Sequence, residues 1–264
     1  MGIVDIGIKT LAAYYLLLIF PLAIMLWFKV PIIGRTLIAV VRMTLQLLFV
    51  GFYLQVVFQL NNPWLNILWL VVMVTVADFS IARGCDLKPG KFVFPLFAAL
   101  AAGTAIPLLA FMGPLLHRPN LMDAQYVIPI GGMILGNCLR ADIIGIKNFY
   151  DAIEKNEKVF LHTLSQGARL HEAIRPYLRD AYHSALLPTV ATMGTIGLVA
   201  LPGMMTGVIL GGAEPMTAIK YQIAIMIAIF SGTAITVMLA VLMTIKSSFT
   251  PFGTLNPHAF RGHS

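Results

Sequence analysis

The stretch 147–187, KNFYDAIEKNEKVFLHTLSQGARLHEAIRPYLRDAYHSALL, is a long charged segment in an otherwise strongly apolar sequence. Its apolar residues recur at the spacing of amphipathic helices, and this stripe changes phase at Gly167. Gly167 and Pro176 both interrupt helices, so we predict a helix leaving an apolar layer, a short helix over 168–175 and a third helix that returns. A plain solvated loop between two spans is the alternative that periodicity leaves open.

The composition predicts an integral membrane protein. Of the 264 residues, 59% are hydrophobic and only 11% are charged, whereas soluble domains carry roughly 25% charged residues. The first apolar run has no small-residue cleavage site, so we interpret it as a true span rather than a signal peptide. The two cysteines, Cys85 and Cys138, lie in different segments, and no disulfide is predicted.

Segments long enough to cross a bilayer determine the predicted fold, because a span needs about 20 apolar residues. We predict a single all-α transmembrane domain over 1–264, with about seven spans and with 147–187 as a cytosolic insertion between spans five and six. The predicted spans are 11–28, 36–58, 64–81, 92–116, 126–146, 187–210 and 221–245.

The basic residues predict the orientation. Of the 18 Lys and Arg, only Lys9, Arg118 and Lys220 lie on one side of these spans, while Arg42 and Arg140 lie within spans. All the others lie on the opposite side, and Lys and Arg accumulate on the cytoplasmic side of membrane proteins. We therefore predict an external N-terminus, a cytosolic C-terminus and a cytosolic segment 147–187.

Glycine and proline suggest that spans five and six are broken. The fifth contains Pro129 and three glycines, and the sixth contains Pro202 and several more. Such residues either permit close helix packing or free backbone carbonyls to line a cavity. The pairs Gly132/Gly136 and Gly203/Gly207 have small-xxx-small spacing, which favours tight contact between helices or between two copies of the chain.

Polar groups inside the spans provide a few candidate functional residues. Arg42 and Gln46 share a face of the second span, and Asp78 lies near the cytosolic end of the third. We predict an Arg42–Asp78 pair facing the bundle interior, either in a transport path or as a purely structural contact. Among the carboxylates of the sequence, we assign only Asp78 to the interior of a span, and it lies near one edge. A proton-driven secondary transporter would need paired carboxylates at the bilayer centre, so this class is disfavoured.

The fourteen methionines suit either a soft metal ion or irregular apolar packing. No histidine, cysteine or carboxylate spacing matches a metal site, so no metal ligands are assigned. The sequence has no G-x-x-x-x-G-K-[ST] loop, no H-E-x-x-H motif and no hydrolase triad, so we expect no catalytic site. The net charge of +7 is explained by the excess of Lys and Arg in the predicted cytoplasmic loops. We therefore expect no nucleic-acid partner.

Three runs carry a family resemblance over essentially the whole chain: YVIPIGGMILGN from Tyr126, the segment from Ser165 to Pro188, and GLVALPGMMTGVILG from Gly197. Through these runs the chain resembles permease subunits of the ABC-type iron-export family, which also includes plant membrane proteins linked to aluminium tolerance. In ABC permeases generally, a pattern like L-G-A-S-x-x-x-A followed by L-P marks the coupling helix that contacts the ATPase.

The matching coupling residues here are Gly167, Ala168, Arg169, Glu172, Ala173 and Arg175, followed by Leu187 and Pro188. Ser165 and Gln166 separate Leu164 from Gly167, and Arg169 replaces the usual serine, so the exact docking residues depart from the general pattern.

The resemblance implies a multi-pass permease of the bacterial inner membrane that exports iron or another metal ion. It also implies a permease homodimer and a separate cytosolic subunit that binds ATP and magnesium, with no cofactor bound by this chain. A nucleotide sugar or another small solute is the alternative cargo. We assign the transport path to Met133, Asn137, Met204, Met205, Thr206 and Glu214.

Overall fold

A computed structural model describes residues 6–117, 120–250 and 253–256. The chain forms helices joined by short turns, including one 3₁₀ turn (Tyr15–Leu18) and one π turn (Phe111–Leu115). The helices are α1 (Ile8–Tyr14), α2 (Ile19–Trp27), α3 (Ile33–Leu60), α4 (Pro63–Gly84), α5 (Pro89–Ala110), α6 (Ala124–Lys155), α7 (Glu157–Ser165), α8 (Leu170–Thr195), α9 (Gly203–Leu210) and α10 (Pro215–Ser248).

The all-α membrane fold is confirmed. Within the described residues, six helical segments are long and apolar enough to cross a membrane: Ile8–Trp27, Ile33–Leu60, Pro63–Gly84, Gly90–Leu115, Ala124–Lys155 and Pro215–Ser248. These correspond to six of the predicted spans. The remaining predicted span, 187–210, is not one helix, because it is divided between the end of α8, a turn and α9.

Helix α10 lies at the centre of the bundle and packs against α5, α6, α8 and α9. Its closest approach to α5 is at Gly103 and Gly232, where the two backbones are nearly in contact. A Cβ atom added to Gly232 would lie 2.7 Å from the carbonyl oxygen of Gly103 and 2.8 Å from the Cγ2 atom of Ile134. Glycine is therefore required at this crossing.

Three side-chain hydrogen bonds join α6 to α10 in the described part of the chain. The hydroxyl of Tyr150 lies 2.8 Å from the Thr244 hydroxyl and 2.7 Å from the Ser248 hydroxyl. Further into the bundle, the Thr236 hydroxyl donates a hydrogen bond of 3.0 Å to the Oδ1 atom of Asp142. Buried polar groups without partners destabilise a fold, so these contacts favour a fixed register between the two helices.

The predicted break in the fifth span is wrong, because α6 runs without interruption from Ala124 to Lys155. Pro129 lies only five residues after the start of α6, and the helix continues through it. Two glycines of α6 instead permit close packing: a Cβ atom on Gly131 would lie 3.0 Å from Leu70, and one on Gly145 would lie 3.3 Å from the Cβ atom of Ala185.

The N-terminal arm, residues 8–60, is barely attached to this bundle. Helices α1 and α2 bury no side chain, and α3 buries only Val57. The contact of α3 with the bundle is concentrated near its C-terminal end, where the ring of Tyr53 stacks on Trp69 with centroids 4.1 Å apart. The exposed apolar surface of the arm is suited to lipid or to another membrane-embedded protein.

The end of the bundle that carries α7 is closed by the C-terminal segment, of which residues 249, 250 and 253–256 are described. The ring of Phe249 contacts Phe160 of α7, with centroids 6.0 Å apart. Gly253 has φ +78°, and a Cβ atom there would lie 3.0 Å from Leu164. The Asn256 amide donates to the Ser248 carbonyl at 2.8 Å. The segment therefore folds back onto α7 and the end of α10.

Candidate functional site

A cavity of about 400 Å³ opens between α6, α8, α10 and the turn that leads into α9. Three predicted path residues, Met133, Asn137 and Met204, lie in its wall. The other lining residues are Arg140, Ala141, Ile144, Ala185, Pro188, Thr189, Thr192, Thr195, Ile196, Ala200, Pro202, Gly203, Gln222, Ile225, Met226 and Ile229. Three of the six predicted path residues therefore line one cavity, and their role in transport stays a prediction.

The remaining predicted path residues are not among the residues that line this cavity. Met205 is half-buried on α9, and the Thr206 hydroxyl donates to the Pro202 carbonyl at 3.1 Å. Glu214 is exposed at the N-cap of α10. Their role in transport stays a prediction.

The polar lining of the cavity comes from α6, α8 and α10. Gln222 of α10 is only 7% exposed, and its Oε1 atom has no hydrogen-bond partner among the described residues. Arg140 of α6 also lines the cavity, is exposed and forms no ion pair within the described part of the chain. Asn137 donates to the Met133 carbonyl at 2.8 Å. No carboxylate of the described residues lines the cavity.

The break predicted in the sixth segment is present and forms the rim of the cavity. Helix α8 ends at Thr195, and the chain turns at Gly197, whose φ of +84° favours glycine. The Gly197 amide donates to the Ala200 carbonyl at 2.9 Å, which closes the turn. Leu198 and Val199 at its tip are 91% and 82% exposed, so an apolar loop projects beside the cavity.

At the other end of α8, the predicted short helix over 168–175 is wrong. The short helix is α7, which precedes Gly167, and the segment from Leu170 onward belongs to α8. Pro176 does not end a helix: it lies on an exposed face of α8, where the carbonyl that it leaves unpaired can bind water. Gly167 does mark a bend, with φ +91°.

The bend between α7 and α8, residues 166–169, forms an elbow. The Glu172 carboxylate accepts a hydrogen bond of 2.8 Å from the backbone amide of Arg169, which caps the start of α8. Arg169, Glu172 and Arg175 are exposed, Ala168 is half-buried and Ala173 is buried. The elbow thus presents a charged outer surface over an apolar inner one, which is a suitable surface for a soluble partner.

The predicted Arg42–Asp78 pair is not formed. Arg42 and Gln46 are exposed on α3, while Asp78 of α4 is fully buried and neither of its carboxylate oxygens has a hydrogen-bond partner among the described residues. The prediction failed because α3 diverges from α4 and touches the bundle mainly near its C-terminal end.

Sequence reasoning missed Asp142. This residue is inside the predicted span 126–146 and is fully buried in the structure. Its Oδ2 atom has no hydrogen-bond partner among the described residues, while Oδ1 accepts from Thr236. The sequence feature that could have identified Asp142 is its position inside a span, because ionisable residues within spans are rare and usually functional or paired. Asp78 is therefore not the only carboxylate in the spans.

No metal site is evident. The described residues contain no group of three or more His, Cys, Asp or Glu side chains close enough to hold an ion. Burial raises the pKa of the Cys85 thiol to about 12, so it is protonated at neutral pH and is a poor metal ligand. Cys138 is also a free, buried thiol.

The family model described as "Uncharacterised protein family (UPF0014)" matches residues 8–249, which include every helix described above. The chain belongs to the UPF0014 family. It is therefore related to proteins named as membrane proteins, which agrees with the membrane class that the composition predicts.

Curated relatives from this family cover most of the chain. The UPF0014 membrane protein slr1647 of Synechocystis is 38% identical over 79% of this chain and 80% of its own length. The Arabidopsis thaliana protein ALUMINUM SENSITIVE 3 is 32% identical over 86% and 82%. The probable iron export permease protein FetB of Escherichia coli is 30% identical over 79% of each chain. No solved structure matches significantly.

Proposed function

We propose that this UPF0014 chain is the transmembrane permease subunit of an ABC-type exporter, driven by ATP that a separate cytosolic subunit hydrolyses with magnesium. The chain itself would bind no nucleotide and catalyse no reaction. Two observations support this proposal: the similarity to a relative named as a probable iron export permease, and the cavity joined to a charged elbow by one continuous helix.

Helix α8 is the observation that carries the mechanism. It begins beside the elbow at Leu170 and ends on the cavity rim at Thr195, without a break between them. Movement of the elbow by an ATP-driven partner would therefore move the cavity wall directly. Rigid-body motion of this kind alternates the access of a central site.

A homodimer is part of the proposal, and the surface of α6 and α9 supports it. A Cβ atom added to Gly136, Gly203 or Gly207 would meet nothing within 4 Å. These glycines of the predicted small-xxx-small pairs therefore do not serve packing within one chain. They leave space where a second copy could approach closely beside the cavity.

Iron or another metal is the proposed cargo, and a nucleotide sugar or another small solute is the alternative. The test is ATP-dependent iron accumulation in inside-out vesicles that contain this chain and its ATPase. Met204→Ala should lower uptake several-fold because Met204 lines the cavity, whereas Met205→Ala should have little effect. Uptake that requires no ATPase subunit would contradict the proposal. ATPase activity stimulated by a nucleotide sugar but not by iron would favour the alternative cargo.

Reversing the charge of Glu172 should weaken docking of the ATPase subunit. Glu172 is exposed at the elbow, and its carboxylate also caps α8, so Glu172→Lys removes both the cap and a surface charge. Loss of a helix cap costs about 1 kcal/mol. We expect co-purification of the ATPase to fall at least several-fold. Glu157→Lys, in the first turn of α7, is the matched control; equal co-purification by both variants and wild type would place docking elsewhere.

A further inference from the structure

The cavity between α6, α8 and α10 has a positive electrostatic character. Arg140 is its charged lining residue, and none of the described Asp, Glu, His or Cys residues lines it. Arg140 has no ion-pair partner within the described residues, so its charge is not neutralised by the protein. An unpaired guanidinium repels a bare metal cation and attracts an oxyanion, with which it forms paired, charge-assisted hydrogen bonds.

The rest of the polar lining suits an oxygen-rich solute. The buried Oε1 atom of Gln222 lacks a hydrogen-bond partner among the described residues, and an unsatisfied buried acceptor favours a ligand that brings a hydroxyl or amine donor. Asn137, Thr189 and Thr192 line the same wall and can bond to further polar groups. The volume of about 400 Å³ exceeds what a single ion requires and falls within the range of small-molecule sites.

We infer that the cavity binds an anionic, hydroxyl-bearing solute through Arg140 and Gln222, so that a metal cargo would enter as a complex with an organic acid rather than as a free cation. This inference rests on the proposed function for the role of the cavity in transport. The anionic group is a carboxylate or a phosphate, which Arg140 recognises by the same chemistry.

Three methionines, Met133, Met204 and Met226, also line the cavity. Thioethers favour soft ions such as Cu(I). Arg140 in the same wall opposes any uncompensated cation, and methionine side chains also provide pliable apolar walls for an organic solute. Bare Cu(I) is therefore a competing ligand that the experiment must include.

The test measures binding to the purified full-length chain in detergent, without an ATPase subunit, by calorimetry. The probes are ferric citrate, citrate alone, a nucleotide sugar, Fe²⁺ and Cu(I). Ferric citrate or citrate binding identifies a carboxylate ligand, and nucleotide-sugar binding identifies a phosphate ligand. In either case Arg140→Gln should weaken binding at least about tenfold, and Arg140→Lys should weaken it less. Gln222→Leu should also weaken binding relative to wild type.

Arg83→Gln is the matched control, because Arg83 is an exposed arginine of α4 outside the cavity, and it should leave binding unchanged. Binding of Fe²⁺ or Cu(I) that Arg140→Gln leaves equal or strengthens would overturn the inference. So would the absence of binding by every anionic probe, or anion binding that Arg140→Gln does not alter. Because no ATPase is present, these results are independent of whether the chain docks to one.

Discussion

Replacing Gly232 with leucine is expected to prevent the permease from folding stably. A Cβ atom at this position would already lie 2.7 Å from a backbone oxygen of α5, and that oxygen cannot move unless α5 and α10 separate. Overpacking a core typically costs about 1–3 kcal/mol, and leucine adds three more carbon atoms at the crossing, so we expect about 3 kcal/mol or more. Monodisperse yield and Tm in detergent are the measurements.

Gly51→Leu provides the control for this experiment. Gly51 also lies within a predicted span, but a Cβ atom there would meet nothing within 4 Å. The substitution should leave yield and Tm close to those of wild type. If Gly232→Leu behaves like Gly51→Leu, the close crossing of α5 and α10 is not required for the fold.

Replacing Gly167 with valine is expected to lower the rate of ATP-driven transport tenfold or more, while the protein remains inserted and folded. Gly167 has φ +91°, a conformation that a β-branched residue avoids at a cost of about 1–2 kcal/mol. Nothing lies within 4 Å of the added Cβ atom, so the strain would be relieved by a changed elbow angle rather than by unfolding. Vesicle uptake and Tm, measured on the same preparation, distinguish these outcomes.

Gly167→Asn is the informative companion, because asparagine adopts positive φ more readily than other residues with a Cβ atom. We expect it to retain most of the transport. Unchanged transport by Gly167→Val would contradict the coupling role of the elbow. Equal loss in both variants would indicate that added side-chain bulk matters there rather than backbone conformation.

The sequence was a good guide where one strong physical constraint decides the outcome. Apolar length identified the six helical segments that can cross a membrane, and the glycines around Gly197 correctly indicated a break after α8. Gly167 was correctly identified as a bend because the apolar stripe changes phase there. These features depend on local composition and periodicity, which a single sequence contains.

The errors arose where a residue type has two uses that only packing distinguishes. The glycines of α6 left a break and close packing both open from the sequence, and in the structure Gly131 and Gly145 allow neighbouring helices to pack closely. Pro176 was expected to end a helix but is tolerated on an exposed face. The Arg42–Asp78 pair assumed that consecutive spans pack along their whole length, whereas α3 diverges from the bundle. Asp142 is made noticeable by Thr236 of α10, and Gln222 by the cavity walls from α6 and α8, and these neighbours are far away in sequence.

Helix α8 has the geometry of a two-armed lever. It contains 26 residues, or about 39 Å of helix at about 1.5 Å per residue. It packs closely on α6 at Ala185, where a Cβ atom on Gly145 would lie 3.3 Å from the Ala185 Cβ atom. A fulcrum at this contact leaves about 22 Å of helix towards the elbow and about 15 Å towards the cavity rim. The ratio of these arms reduces displacement and multiplies force: a shift of about 3 Å at the elbow becomes about 2 Å at Thr195.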